Sequence, residues 1–257
     1  MTTGTEPPYC LVLRLAAPLQ SWGGPSPINR RDTMPEPTKG GIVGLLAAAQ
    51  GLRRQDPIED LLGLSLGVRT DRPGTLLRDY HTASTLDGRP LPAAQTNPRG
   101  QQKTTSPAKN TYVTVRFYLQ DAVFVAALHG PRELLLALGD ALRRPGFPLA
   151  LGRRCCPPTL PLLLAQDGPQ HLLWPGNPHD VLRQVPRQAI VPSGTRLLPA
   201  TLDDPHGDDI RADVPRTFNP QHRSYATRTV RHVWVDPPQQ ATPGTTADDH
   251  DPFALTY

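Results

Sequence analysis

Leu77-Arg78-Asp79-Tyr80-His81-Thr82 and, further along, Thr111-Tyr112-Val113-Thr114-Val115-Arg116-Phe117 both alternate apolar and polar residues. That is the period-2 pattern of a β-strand. Between them, Ala83 to Asn110 holds almost no large apolar side chain, and it carries Arg89, Arg99, Lys103 and Lys109 among Gly, Pro, Gln and Thr. The stretch Leu77 to Leu119 therefore reads as a long two-stranded arm with a basic, mobile tip. A loop of this length inside a domain is usually functional or disordered. No acid follows Asp87 before Asn110, and such a tip suits a phosphate backbone. A surface insertion with arbitrary charge is the competing reading.

The flanks of the arm supply the fold. Tyr9 to Leu15 is an apolar run interrupted by one Arg, a buried first strand. It leads into a loop containing Trp22, Gly23 and Gly24. Trp22 reads either as a plug at the end of that strand or as a stacking platform, and the plug is favoured. Thr38 is placed to cap a helix over Ile42 to Leu52, which is small and apolar nearly all round and so packs on a sheet. Pro57 to Leu66 reads as a short helix or turn, and Gly67 to Arg72 as a strand. Beyond the arm, Ala122 to Leu128 is a strand and Arg132 to Leu142 a helix with leucines on one face. Leu149 to Leu151 and Leu160 to Ala165 read as further short strands. Leaving the arm aside, the order strand–helix–strand–strand–helix–strand is that of an α+β, ferredoxin-like (RRM-like) palm with an inserted β-hairpin thumb.

The expected organisation is a palm over residues 9–165 with the thumb at 77–119, a smaller β-rich C-terminal lobe over 166–235, and a disordered tail over 236–257. Val181 to Val185, Gln188 to Val191 and Thr229 to Val235 are the strand candidates of the lobe. Asp236 to Tyr257 is rich in Pro, Thr and Asp, a composition that buries little.

Composition bounds the function. The formal charge of the 257 residues is +4, and only three of the 27 basic residues are lysines. Arg forks match phosphates and stack on bases, but an Arg-rich, Lys-poor chain is also what a GC-rich genome encodes, so only clustered arginines count. The three cysteines, Cys10, Cys155 and Cys156, suggest neither a disulfide framework nor a zinc site. No run approaches the ~18 apolar residues of a membrane span, and a cytoplasmic protein is expected. No cofactor, metal ligand set or catalytic residue is assigned.

Clusters remain. Arg30 and Arg31 lie in the loop before the first helix. Thr38-Lys39-Gly40-Gly41 would put free amides and a cation at a helix N-terminus, a seat for a phosphate, although the spacing for nucleoside triphosphates is missing. A plainly capped helix start is the alternative. Arg216, Arg223, Arg228 and Arg231 interleave with Phe218, His222 and Tyr225, as in single-strand RNA binders, or form a solvated face.

Four motifs occur in one order: Leu13-Arg14-Leu15-Ala16-Ala17-Pro18-Leu19-Gln20-Ser21-Trp22-Gly23; Pro37-Thr38-Lys39-Gly40-Gly41-Ile42-Val43-Gly44-Leu45-Leu46; Leu77-Arg78-Asp79-Tyr80-His81-Thr82; and Leu151-Gly152-Arg153-Arg154-Cys155-Cys156-Pro157. The series resembles the CasD proteins, the fifth Cas family (RAMP superfamily) of type I-E CRISPR Cascade. It covers Tyr9 to Ala165, with a fainter match near Pro215 to Val235. The resemblance implies a non-catalytic subunit that binds the 5′ handle of CRISPR RNA. It also implies assembly with the backbone subunit CasC and the large subunit CasA, and target DNA reached through the assembled complex in antiviral defence. On this basis the expected RNA-binding residues are Arg30, Arg31, Lys39, Arg78, His81, Arg99, Lys103, Lys109, Arg153, Arg154 and Arg228. Gly152 would allow close backbone approach to the RNA.

The resemblance also raises an alternative, because a type I-C relative cuts precursor RNA: a metal-independent endoribonuclease. Tyr80, His81 and Lys39 are the right residue types for it. Tyr80 and His81 are neighbours on a strand, however, and point to opposite faces.

Overall fold

The computed structural model describes residues 7–24, 30–84, 111–166, 171–189, 196–219, 221–222 and 224–239. The chain is a mixed α/β protein, mostly strand with few helices. In order the elements are β1 (Tyr9–Ala16), β2 (Leu19–Gln20), β3 (Arg30–Arg31), α1 (Lys39–Ala49), α2 (Glu59–Leu62), β4 (Ser65–Arg72), β5 (Thr75–Ser84), β6 (Thr111–Gln120), β7 (Val123–His129), α3 (Arg132–Arg143), β8 (Leu173–Pro175), α4 (Pro178–Gln184), β9 (Leu198–Asp203), β10 (Asp209–Thr217) and β11 (Ser224–Val235).

The main sheet runs β10-β11-β9-β4-β7-β1-β8. Its centre is apolar because both faces are covered. Leu11, Leu13, Leu15, Phe124, Ala126 and Leu128 face α1 and α3 in the larger core, while Val12, Val125, Val181, Leu182 and Val235 pack on the other side. Continuous apolar strands are what two covered faces require. Trp22 is fully buried, and its Nε1 donates to Gln20 Oε1 at 3.1 Å, so it is a core plug. The Thr38 side chain accepts from the Gly41 amide at 3.2 Å and caps α1 as expected, a contact typically worth ~1 kcal/mol.

The second sheet carries the arm. β5 and β6 pair in register from Thr75↔Gln120 to Ser84↔Thr111. β2 and β3 flank β6, with β3 parallel to it. The tip, with Arg99, Lys103 and Lys109, lies outside the described residues, as does the tail from residue 240.

Five readings change. Val181 to Val185 belongs mostly to a helix, not a strand. Asn177 caps α4 by accepting from the Asp180 amide, and Pro178 occupies the first turn, the Asn-then-Pro start that favours a helix. The strand beside β1 is Leu173–Pro175; Leu149 to Leu151 is not a strand, and the run Leu160 to Ala165 makes one bridge, Leu13↔Leu163. Gln188 and Ala189 form no strand either. The region 166–235 builds no sheet of its own, since β9, β10 and β11 continue the main sheet across β4. Arg69 and Asp71 fasten that junction. Both are fully buried and joined at 2.6 Å. Arg69 also donates to the carbonyls of Leu182, Val185 and Pro186 at the end of α4, and Asp71 accepts the Gln188 amide. A buried ion pair survives only when its remaining hydrogen-bonding capacity is used in this way.

Candidate nucleic-acid interface

The base of the arm gathers arginines and aromatics by strand register. Arg30 pairs with Val115 and Arg31 with Arg116, while on the far side of β6 Tyr80 pairs with Val115, Arg78 with Phe117 and His81 with Thr114. Directly opposed residues share a face, and neighbours alternate. Arg30, Arg78, Tyr80 and Phe117 therefore project from one face, and Arg31, His81 and Arg116 from the other. The Arg30 guanidinium stands 4.9 Å over the Phe117 ring and pairs with Asp32 at 2.8 Å. Tyr80 is 63% exposed and Arg78 is exposed. A flat aromatic beside forked cations can stack a base and hold its phosphate.

Arg153 and Arg154 arrive from a turn packed on the same sheet. The Arg153 guanidinium donates to the Phe117 carbonyl at 3.1 Å and to the Arg31 carbonyl at 2.8 Å, and lies 4.6 Å over the Tyr118 ring. It thus ties β3 to β6, and among the described residues no carboxylate pairs with it. Arg154 is exposed. Gly152 has φ +93, and a Cβ there would lie 1.6 Å from the Ser21 carbonyl oxygen. The close approach that requires glycine is to the chain's own backbone rather than to a ligand.

Lys39 and Arg228 stand elsewhere. Lys39 is 8% exposed, with its Nζ 2.9 Å from Asp203, and its backbone amide donates to Asp213 at 2.8 Å. Arg228 grips Asp213 through two hydrogen bonds of 2.7 and 2.8 Å and also bonds Asp203. The helix N-terminus read as a phosphate seat is filled by an internal carboxylate, which suits the positive end of a helix dipole. Burial alone would raise the Asp213 carboxyl, but the Arg228 bonds and charge and the Lys39 amide outweigh it and hold the group below its ordinary value. Burial lowers Arg228 and its two carboxylates more than offset this, so it stays charged throughout. Arg211 extends the network to Glu36 at 2.9 Å, and Arg231 pairs with Asp204 at 3.0 Å. Phe218 packs against the core beside Gly44. The basic–aromatic run near the C-terminus is in large part a charge-matched seam between α1 and β9–β11.

The structure therefore sets Arg30 and Arg78 on one face of the arm's sheet and Arg31, His81 and, over Tyr118, Arg153 on the other, and it separates Lys39 and Arg228 from both. Sequence reasoning missed Phe117 and Tyr118 as the rings under Arg30 and Arg153; only the strand register exposes them. Tyr80, His81 and Lys39 do not meet as a catalytic group. The first two leave opposite faces of β5, and the third is engaged with Asp203. His81 Nδ1 is 3.3 Å from the Thr114 hydroxyl. Among the described residues no cluster of His, Cys, Asp and Glu could hold a metal ion, and no helix is long and apolar enough to cross a membrane.

Comparison with known proteins gives four findings. The family described as CRISPR-associated protein (Cas_Cas5) matches residues 10–231. The CRISPR system Cascade subunit CasD of Escherichia coli (strain K12) is 36% identical over 169 residues, which is 60% of this chain and 69% of that protein. Among solved structures, a chain of a CRISPR RNA-guided surveillance complex superposes with a TM-score of 0.72 at 34% identity, covering 92% of this chain and 95% of that one. A crystal structure of a Cas protein gives 0.66 at 31%, covering 90% and 98%.

Proposed function

The chain belongs to the CRISPR-associated Cas5 family, and from that premise we propose that it is a non-catalytic Cascade subunit of type I-E. In this reading it binds the 5′ handle of CRISPR RNA and helps assemble the complex for antiviral DNA interference. The observation that carries the reading is the exposed face of β3, β5 and β6, where Arg30, Arg78, Tyr80 and Phe117 form a stacking and phosphate-holding surface, with Arg153 clasping β3 to β6 from the opposite, Tyr118 face. The RNA would lie across this face, with the arm as a thumb over it, and Arg99, Lys103 and Lys109 would extend the contact. The strand order β8-β1-β7-β4, with all neighbours antiparallel and α1 and α3 on one side, supports a ferredoxin-like palm beneath the thumb. CasC and CasA are the proposed neighbours and the cytoplasm the proposed compartment, as for a soluble surveillance complex.

The endoribonuclease reading loses its geometric support, because Lys39 is committed to Asp203 and Tyr80 and His81 diverge. The deciding experiment is co-expression of the other complex subunits with a CRISPR array, with and without this chain, followed by sizing of the RNA. Mature guide RNA without a stable complex is the expected result when the chain is missing. Accumulation of uncut precursor, with the processing nuclease present and folded, would overturn the reading.

A further inference from the structure

Cys155 and Cys156 are consecutive at the end of the turn that carries Arg153 and Arg154. Cys155 is exposed and Cys156 is 1% exposed. Their sulfurs lie 4.0 Å apart, and the Tyr118 hydroxyl is 3.5 Å from Cys155 Sγ. Arg153 stacks on that same tyrosine ring. The outer thiol thus has an open approach for a small disulfide, beside the Tyr118 hydroxyl and the guanidinium stacked on that ring. The inner thiol is already within van der Waals reach of it.

We propose that Cys155 and Cys156 form a vicinal dithiol site, modified reversibly by low-molecular-weight disulfides to an internal disulfide that loosens the Arg153 turn. The exposed Cys155 thiolate attacks one sulfur of the small disulfide. The other sulfur leaves with the bonding electron pair and takes up a proton. Cys156 then gives up its proton and attacks the Cys155 sulfur of the mixed disulfide, and the second small thiol departs and is protonated. Two protein thiols and one small disulfide thus yield one protein disulfide and two small thiols. The second step is the slow one. Burial, with a smaller push from Cys155, raises the Cys156 thiol to about 12, so the turn must open before it reacts.

The product is strained. A disulfide needs its sulfurs at about 2.05 Å and its Cα atoms usually ~4.4–6.8 Å apart, whereas neighbouring Cα atoms are fixed near ~3.8 Å. Strained bridges are readily reduced and fall in the labile, regulatory class. The distortion falls on the Cys155–Cys156 peptide. That peptide's amide donates to the Arg153 carbonyl at 2.9 Å, and the Cys156 carbonyl accepts from the Leu151 amide at 2.7 Å. These two bonds close the turn from which Arg153 reaches the Phe117 and Arg31 carbonyls. Oxidation therefore acts on the β3–β6 clasp, and this holds whether or not RNA binds there.

The test treats the full chain with glutathione disulfide, quenches by alkylation, and reads intact mass, peptide maps and amide exchange. The wild type should lose two hydrogens, show the bond between residues 155 and 156, and recover with dithiothreitol. Its Cys156 amide should exchange about tenfold faster when oxidised. Cys156→Ser should stop at a mixed disulfide on Cys155, Cys155→Ser should stay unmodified, and Cys10→Ser should match the wild type. A wild-type chain that stops at the glutathione adduct, bridges only to a second chain, or forms the internal bond without faster exchange would overturn the proposal.

Discussion

Replacing Arg228 with Met removes the cation between two partly buried carboxylates while keeping much of the side-chain volume. The guanidinium is 10% exposed, and Asp203 and Asp213 are 14% and 13% exposed, so solvent screens the loss poorly. Removing one partner of such a pair costs roughly 3–5 kcal/mol. The lower end applies here, because Asp203 keeps Lys39 Nζ and the Leu66 amide, each at 2.9 Å. Among the described residues Asp213 keeps the Lys39 amide and the more distant charge of Arg211. About 3 kcal/mol corresponds to a Tm lower by ~6–12 °C for a chain of this size. Urea unfolding at pH 7, with the m value checked for constancy, measures it.

The pH dependence gives the argument a second handle. In the wild type the depressed Asp213 carboxyl contributes stability that is fully present above its unfolded value of ~3.9 and is lost as pH falls through the lower folded value. In Arg228→Met burial is left largely unopposed and the folded value rises. The gap between wild type and variant should then narrow as pH falls from 7 toward ~4. Adding Asp213→Asn should restore part of the stability at pH 7, since it removes the stranded charge but leaves an oxygen for the Lys39 amide. A deficit below ~1 kcal/mol, the worth of a solvated surface pair, or a gap that is constant with pH, would refute the reasoning.

Gly152→Ala should destabilise by at least ~1–3 kcal/mol, the cost of a positive φ for a residue with a Cβ, with the Ser21 clash added; a thermal melt within error of the wild type would contradict the turn described. Arg154→Ala should reduce the slope of log K against log salt for handle-bearing RNA by ~0.7, one single-strand phosphate contact, and Arg153→Ala with Arg154→Ala by up to about twice that; an unchanged slope would give both residues a purely structural role. Incubated with repeat RNA in EDTA, both the wild type and His81→Ala should leave the RNA intact, and cleavage by the wild type alone would revive the nuclease reading. Arg69→Met should cost ~3–5 kcal/mol by leaving Asp71 buried and unpaired, read by urea unfolding; a near-neutral result would mean that α4 is held by packing alone.

Elements whose period is strong and local were legible from the chain itself. β1, β7, α1 and α3 needed only an apolar run or one leucine face, and the alternation of Leu77 to Thr82 and Thr111 to Phe117 gave the arm. β10 was not legible, because Pro215 within it argues against a strand; the sheet tolerates it since β10 is at the edge, where no neighbour needs the missing amide. α4 was misread on its apolar run, although Asn177-Pro178 before it carried the helix signal. The site divides in the same way. Arg30, Arg78 and Arg153 were identifiable as cations near the arm, but nothing local distinguishes Lys39 and Arg228 from them. What removes those two is pairing with Asp203 and Asp213, and for Lys39 the partners lie 164 and 174 residues away.

That separation has a consequence for synthesis. At translation rates of ~5–20 residues per second, Lys39 waits roughly 8–33 s for Asp203 to be made. From the time β7 has been made until β9 follows, β4 is paired with β7 on one side only, since its other neighbour is β9. An unpaired strand edge is a template for the wrong partner, and here the edge is Gly67-Val68-Arg69. The nascent chain is thus at its most aggregation-prone after its first half has collapsed and before residues 198–203 leave the ribosome, and a product ending near Arg187 would keep that edge open permanently.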